Sequence, residues 1–284
     1  MNMSMNMSPI PALQWTSALL SLSLVIQSGE LLRLAPAFAE QGIWRGSTLR
    51  EELPALAPLL DHRAFVGLQA MRLAAALALG TLSVAGALRA EAGLPTGAAG
   101  LLALLLGVGV FTNVRFRGTF NGGSDFMTLV VLTALLAAAL AGPASPGGRL
   151  QEGCLWYIAF HVCASYFVAG WIKILKANWR SGRALRGFLS TTIYEPGPVL
   201  RSLRSLPAAT FALSWGVMLW EIAFPAALFD PRATLVFLAL GAAFHLGNVF
   251  FFGLNRFFFA WLAAYPAVIF AARSLQGLPW GFLS

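Results

Sequence analysis

Hydrophobic residues along this chain gather into runs of about 18 to 25, the length a helix needs to cross roughly 30 Å of hydrocarbon at about 1.5 Å per residue. Eight such runs are predicted as spans, at about 12–34, 62–89, 96–114, 125–142, 151–175, 207–229, 232–252 and 255–273. They lack the period-two alternation of barrel strands. The expected fold is therefore all-α: a polytopic integral membrane helical bundle of about eight transmembrane helices, with one further amphipathic helix lying along the interface. Residues 1–11 and 274–284 are read as tails around a single transmembrane domain, 12–273.

The polar stretches define the connections. Pro36 to Leu60 mixes Trp44, Arg45, Arg50, Glu51, Glu52, Pro54 and Pro58 with scattered leucines. That suits an interfacial or partly re-entrant segment, since irregular backbone is not tolerated against lipid. Asn121-Gly122-Gly123 predicts a tight turn with positive φ, followed by Ser124 or Asp125 as the N-cap of the fourth span. Pro143 to Arg149 forms a loop. After Lys173 come Lys176, Trp179, Arg180, Arg183 and Arg186 among Ala184, Leu185, Phe188 and Leu189, the pattern of the interfacial helix. Tyr194 to Pro207 then returns the chain to the membrane. No soluble domain and no repeat of about 20 to 50 residues is visible.

Composition agrees with the pattern. The chain of 284 residues is 58% hydrophobic and 11% charged, where a soluble domain has about 25% charged residues. The net charge of +8 resides mainly in loop arginines, which argues for orientation and anionic membrane lipids as partners rather than nucleic acid. Thirteen loop Lys and Arg residues fall on one side of the eight spans and four on the other, so the rich side is expected to be cytoplasmic and both termini extracytoplasmic, in a bacterial-type inner or plasma membrane. The opening MNMSMNMSPI has no Lys or Arg before the first run, so a cleaved secretory signal is not expected. Cys154 and Cys163 lie nine apart in one run, about 13.5 Å along a helix, too far to bridge. No metal-ligand spacing, Walker loop, HExxH or GxSxG pattern occurs.

The chemistry must then come from polar residues inside the runs. Lys173 lies within about a turn of the end of its span, where a lysine either reaches the headgroups as an anchor or marks a functional site. Arg72 is about 15 Å into the second span and needs a partner, with Glu221 or Asp125 the natural choices. By depth, Arg72, Asp125, Lys173, His245 and Asn248 share the basic half of the membrane, with Glu221 past the midplane and His161 near the middle. Tyr166, Gly170 and Lys173 fall at i, i+4 and i+7, one helical face. Gly170 leaves room there for a ligand, or for another helix. A desolvated lysine can act as a base or nucleophile, and a histidine such as His245 can orient or shuttle protons.

Four blocks in order carry a resemblance to a known family. YFVAGWIKILKANW at Tyr166 to Trp179, followed by SGRAL, is similar to the signature of the HTTM family, the membrane domain shared with vitamin K-dependent γ-glutamyl carboxylase. NGGSDF at Asn121 to Phe126, WEIAFP at Trp220 to Pro225 and the stretch Ala243 to Pro266 resemble its other blocks. In the carboxylase, a lysine in the first of these blocks is regarded as the base that deprotonates vitamin K hydroquinone, and it falls on Lys173. The resemblance thus implies a carboxylase-like (lyase) or oxygenase-like enzyme whose cofactor is a vitamin K- or menaquinol-like quinol. Lys173 and His245 would be catalytic, with Tyr166, Arg72, Asp125, Glu221 and Asn248 in support.

Where the carboxylase carries a helper histidine this chain has Gly122-Gly123, and it ends soon after the eighth span, so a small peptide or another lipophilic substrate is expected rather than a large protein. The family enzyme works on the lumenal side, whereas the charge count puts Lys173 near the cytoplasm. The alternative class is a non-catalytic membrane partner or small-molecule carrier whose buried charges are structural, although the inverted repeats of many transporters are not evident.

Overall fold

The computed structural model describes residues 8–118, 122–142, 148–190, 197 and 202–277. Asn121, most of the loop 143–149, half of the stretch 194–207, and the outer parts of both tails lie outside the described residues. Eight helices are long and apolar enough to cross a membrane, and no strand occurs among the described residues. The spans are α1 (Ile10–Arg33), α3 (His62–Leu88), α4 (Ala98–Arg115), α5 (Gly123–Ala141), α6 (Arg149–Ile174), α9 (Pro207–Ala223, continued by a 3-10 turn to Leu228), α10 (Pro231–Phe252) and α11 (Asn255–Gln276). Short helices α2 (Ser47–Arg50), α7 (Ala177–Arg180) and α8 (Arg183–Ser190) lie between them. The chain forms two compact units, one of Ser8–Leu155 with Phe259–Ala267 and one centred on Trp156–Phe258.

In the N-terminal unit, α1 runs antiparallel along α3 on a seam of small and polar side chains. Gln14 donates to the carbonyls of Glu91 and Gly93, Ser17 and Ser83 share a hydrogen bond of 2.8 Å, and Ser21 sits against Gly80. Deeper in, Arg72 donates to Gln27 Oε1 at 3.0 Å, while the Gln27 amide donates to Thr128 on α5. Lipid offers apolar faces no reason to leave it, so close approach and interhelical hydrogen bonds, worth about 0.6 kcal/mol each, hold such a seam.

The segment from Leu34 to Asp61 folds as two 3-10 turns and the single-turn α2 around Phe38, Trp44 and Phe65. Arg115, at the end of α4, fastens it. Its guanidinium donates to the carbonyls of Leu60 (2.7 Å), Trp44 (3.2 Å) and Phe38 (3.3 Å) and lies 4.4 Å from the Phe65 ring centroid. The expected N-cap of α5 differs: the helix starts at Gly123 behind Gly122, whose φ of 55° suits glycine, and Ser124 and Asp125 lie inside the first turn.

In the C-terminal unit the amphipathic stretch after Lys173 is not one helix. α6 stops at Ile174, Lys176 is extended, and Gly182, with φ +72°, separates α7 from α8. A Cβ on Gly182 would come within 2.7 Å of Phe211 N, so only glycine allows both the turn and the contact with α9. Ser214 donates to the Trp179 carbonyl at 2.7 Å, and the Trp215 indole donates to the Arg180 carbonyl at 3.0 Å. This segment therefore lies against the first half of α9 and prolongs α6 alongside it. Further on, Asp230 caps α10 by accepting from Arg232 N and Ala233 N, with Pro231 at the first turn. Gly253 ends α10 in the left-handed conformation.

Two expectations follow. Lysine in place of Arg115 cannot reach all three carbonyls at once, so Arg115→Lys should lower stability in detergent by about 2 kcal/mol and speed proteolysis between Leu34 and Asp61; an unchanged melt and digest would mean the clamp contributes nothing. At the α10 cap, the N–H groups of Ala233 and Arg232 hold the exposed Asp230 carboxyl below its ordinary range. A group so depressed adds stability above its unfolded pKa and loses it as pH falls through the folded value. Asp230→Ala should therefore melt below the native protein at neutral pH, with the gap closing as pH drops below about 4, whereas Asp230→Asn should retain most of the cap; a gap that persisted in acid would contradict this assignment.

Candidate functional site

Four of the residues singled out in the sequence meet within the C-terminal unit: Tyr166, Lys173, Glu221 and His245. Their elements are brought together by a close crossing of α6 and α9. A Cβ on Gly170 would lie 2.8 Å from the Cβ of Glu221, the Cγ1 of Ile222 and the backbone N of Ile222. Gly170 thus serves helix approach, and the room beside the lysine is filled by Glu221 and Ile222.

One turn beyond, Lys173 Nζ donates to both carboxylate oxygens of Glu221, at 2.7 Å to Oε2. The Glu221 side chain is 3% exposed and that of Lys173 19%. The ammonium also sits 5.3 Å from the Trp179 ring centroid, so the indole of α7 covers its remaining side. Lys173 is therefore paired with Glu221 rather than remote from it. Estimating depth along straight spans separated the two, but α9 is flanked by α7 and α8 through its first half, and the end of α6 meets it well inside.

Tyr166 lies two turns earlier on the same face of α6. Its hydroxyl and His245 Nε2 are 2.8 Å apart, and His245 is buried at 4% exposure. Which atom donates follows the histidine tautomer. The Tyr166 ring stacks on Phe224 at 4.1 Å and meets Trp220 edge-on at 4.9 Å; Trp220 in turn packs on Phe244. Trp220 Nε1 is buried and has no acceptor among the described residues. Behind the Phe224–Leu228 turn, Trp156, Phe160, Cys163, Phe167, Pro225 and Leu228 line an apolar cleft of about 370 Å³.

The other named residues fall elsewhere. Arg72 and Asp125 belong to the N-terminal unit, where Arg72 donates to Gln27 and Asp125 is buried in the first turn of α5, at the positive end of that helix. Glu221 is accordingly the partner of Lys173, whereas the sequence suggested Arg72 for it. Asn248 stands one turn beyond His245 and accepts Leu254 N through its carbonyl at the end of α10. His161 packs against Tyr157 at 4.5 Å. Trp179, Trp220 and Phe224 escaped notice in the sequence as site residues, although Trp220 directly precedes Glu221 and Trp179 closes the block that contains Lys173.

A buried amine–carboxylate pair and a tyrosine–histidine pair, walled by aromatic rings, can store and move protons without bulk water. If the crossing at Gly170 sets this geometry, Gly170→Ala should force α6 from α9, lower the melting temperature and weaken the Lys173–Glu221 pair, while Gly187→Ala, where an added Cβ meets nothing within 4 Å, should do neither. Equal behaviour of the two variants would sink that assignment.

Comparison with known proteins returned one family: the model for the HTTM domain matches residues 127–273. The match takes in the site of the C-terminal unit and begins just after the Asn121 to Phe126 block. No curated protein and no solved structure matches the chain.

Proposed function

Because the chain belongs to the HTTM family, we propose that it is a membrane enzyme in which the Lys173–Glu221 pair takes a proton from a quinol or a similar lipophilic substrate. The buried pair, screened by Trp179 and joined by two hydrogen bonds, is the observation that carries the proposal. As an ion pair it holds its proton on Nζ, so a proton taken from a substrate hydroxyl goes to the Glu221 carboxylate, and the Lys173 ammonium is left to balance the oxyanion formed on the substrate. Removing one partner leaves an uncompensated charge in a dry site, which costs about 3 to 5 kcal/mol.

The residues present fit a quinol. Trp220 supplies a buried N–H donor for a substrate oxygen, Trp220 and Phe244 supply ring faces, and the cleft beside Pro225 and Leu228 would take an apolar tail. Such a group, when bound, supplies reducing equivalents for oxygen-dependent chemistry. Tyr166 and His245 would pass the abstracted proton along their 2.8 Å contact. The arginine excess in the neighbouring loops supports placing this site toward the cytoplasmic face.

The same pair also suits a non-catalytic protein, since it joins α6 to α9 where Gly170 lets them touch. Stability and turnover separate the two readings. Lys173→Met and Glu221→Gln should each lower the melting temperature, and the double variant Lys173→Met/Glu221→Met should recover it by replacing the pair with apolar packing. Catalysis requires that native protein consumes oxygen with menaquinol or ubiquinol and that the refolded double variant loses this by at least about a hundredfold, the usual scale for a missing acid–base group. A stable double variant that turns over normally, or native protein that neither binds nor oxidises a quinol, would overturn the enzymatic reading.

A further inference from the structure

Outside this site, a cluster of arginines lines the space between α8 and the turn before α9. Arg183, Arg186, Gly187 and Ser190 fall at i, i+3, i+4 and i+7, one face of α8. Together with Arg204 and Ser205 they line an open basin of about 480 Å³. Among the described residues, its lining holds three guanidinium groups and no carboxylate. Arg183 Nε is engaged by Ser181 Oγ at 3.1 Å, and Arg186 Nε is buried without an acceptor among the described residues. Ser190 and Ser205 donate to the carbonyls of Arg186 and Ser202. The donors turned toward a guest are thus the guanidinium forks, which match the tetrahedral oxygens of a phosphate.

The surroundings suit a bilayer surface. Phe188 on α8, Leu206 at the start of α9 and Phe211 one turn further are exposed large apolar side chains beside the basin. Leu189 is buried, so α8 is held to the protein, while Arg183 is exposed and Arg186 half-buried. Three like charges on a short helix and its neighbour repel one another unless an anion sits among them.

We propose that Arg183, Arg186 and Arg204 form a binding site for a phosphate-bearing anion, supplied by the headgroup of an acidic phospholipid or by free phosphate. The site is separate from the Lys173 pair and does not rest on the enzymatic reading. Its occupancy would tie α8 to its ligand and, through the Trp179–Phe188 ring contact at 5.9 Å, steady the indole that covers Lys173.

The test uses the purified full-length protein in a neutral detergent. Binding of short-chain phosphatidylglycerol, phosphatidylcholine and inorganic phosphate is measured by thermophoresis for native protein and for Arg183→Gln/Arg186→Gln/Arg204→Gln. Native protein should bind phosphatidylglycerol at least about tenfold more tightly than phosphatidylcholine, and the triple variant should lose that preference. Competition by millimolar phosphate would identify the phosphate group alone as sufficient, and binding of phosphatidylglycerol without such competition would identify the lipid as the source. Arg204→Gln alone, on the wall opposite α8, should weaken binding in the same direction and guards against misfolding of the triple variant. Equal affinity for phosphatidylglycerol and phosphatidylcholine with no phosphate binding, or a well-folded variant that keeps the native preference, overturns the proposal.

Discussion

Inside hydrocarbon, an apolar helix face gains nothing by leaving lipid for a neighbour, so polar contacts and small residues must hold the helices together. Both units obey this constraint, each in its own way. In the N-terminal unit a row of serine and glutamine side chains zips α1 to α3, with Arg72 engaged to Gln27. In the C-terminal unit a glycine crossing and a buried ion pair join α6 to α9. Everything placed around Lys173 follows from that second crossing: the position of Glu221, the stack of Tyr166 on Phe224, and the seat of Trp179 over the ammonium.

The buried pair also shows why partners and charges have to be considered together. An ammonium alone in this position would be costly, and a carboxylate alone more so, but together they satisfy one another through two hydrogen bonds. The Tyr166–His245 contact adds a second hydrogen-bonded couple on the same helix. Two polar couples thus lie on a single face of α6, with the rings of Trp220 and Phe224 packed against Tyr166.

Much of the architecture was legible in the chain. The spans stand out because hydrocarbon thickness imposes a length and excludes charge, and their ends agree with the structure to within three residues. Tyr166, Lys173, Glu221 and His245 were identifiable because ionisable or polar side chains are rare within apolar runs. Their pairing was not, since a depth scale assumes that each helix enters at the interface. The segment after α6 breaks that assumption by continuing alongside α9, with Gly182 turning α7 into α8 against Phe211, and a glycine in a polar stretch carries little sign of it. The role of Arg115 was not legible, because nothing local to it reveals the three distant carbonyls it gathers.

The attachment of α7 has a consequence of its own. Its hold on α9 runs through the backbone carbonyls of Trp179 and Arg180, which accept from Ser214 and Trp215. The indole of Trp179 takes no part in that attachment and is free to meet Lys173. The position of residue 179 is thereby set by its backbone, while its ring, in contact with Phe188, is what meets the ammonium, so frame and cover are held by different parts of the same residue.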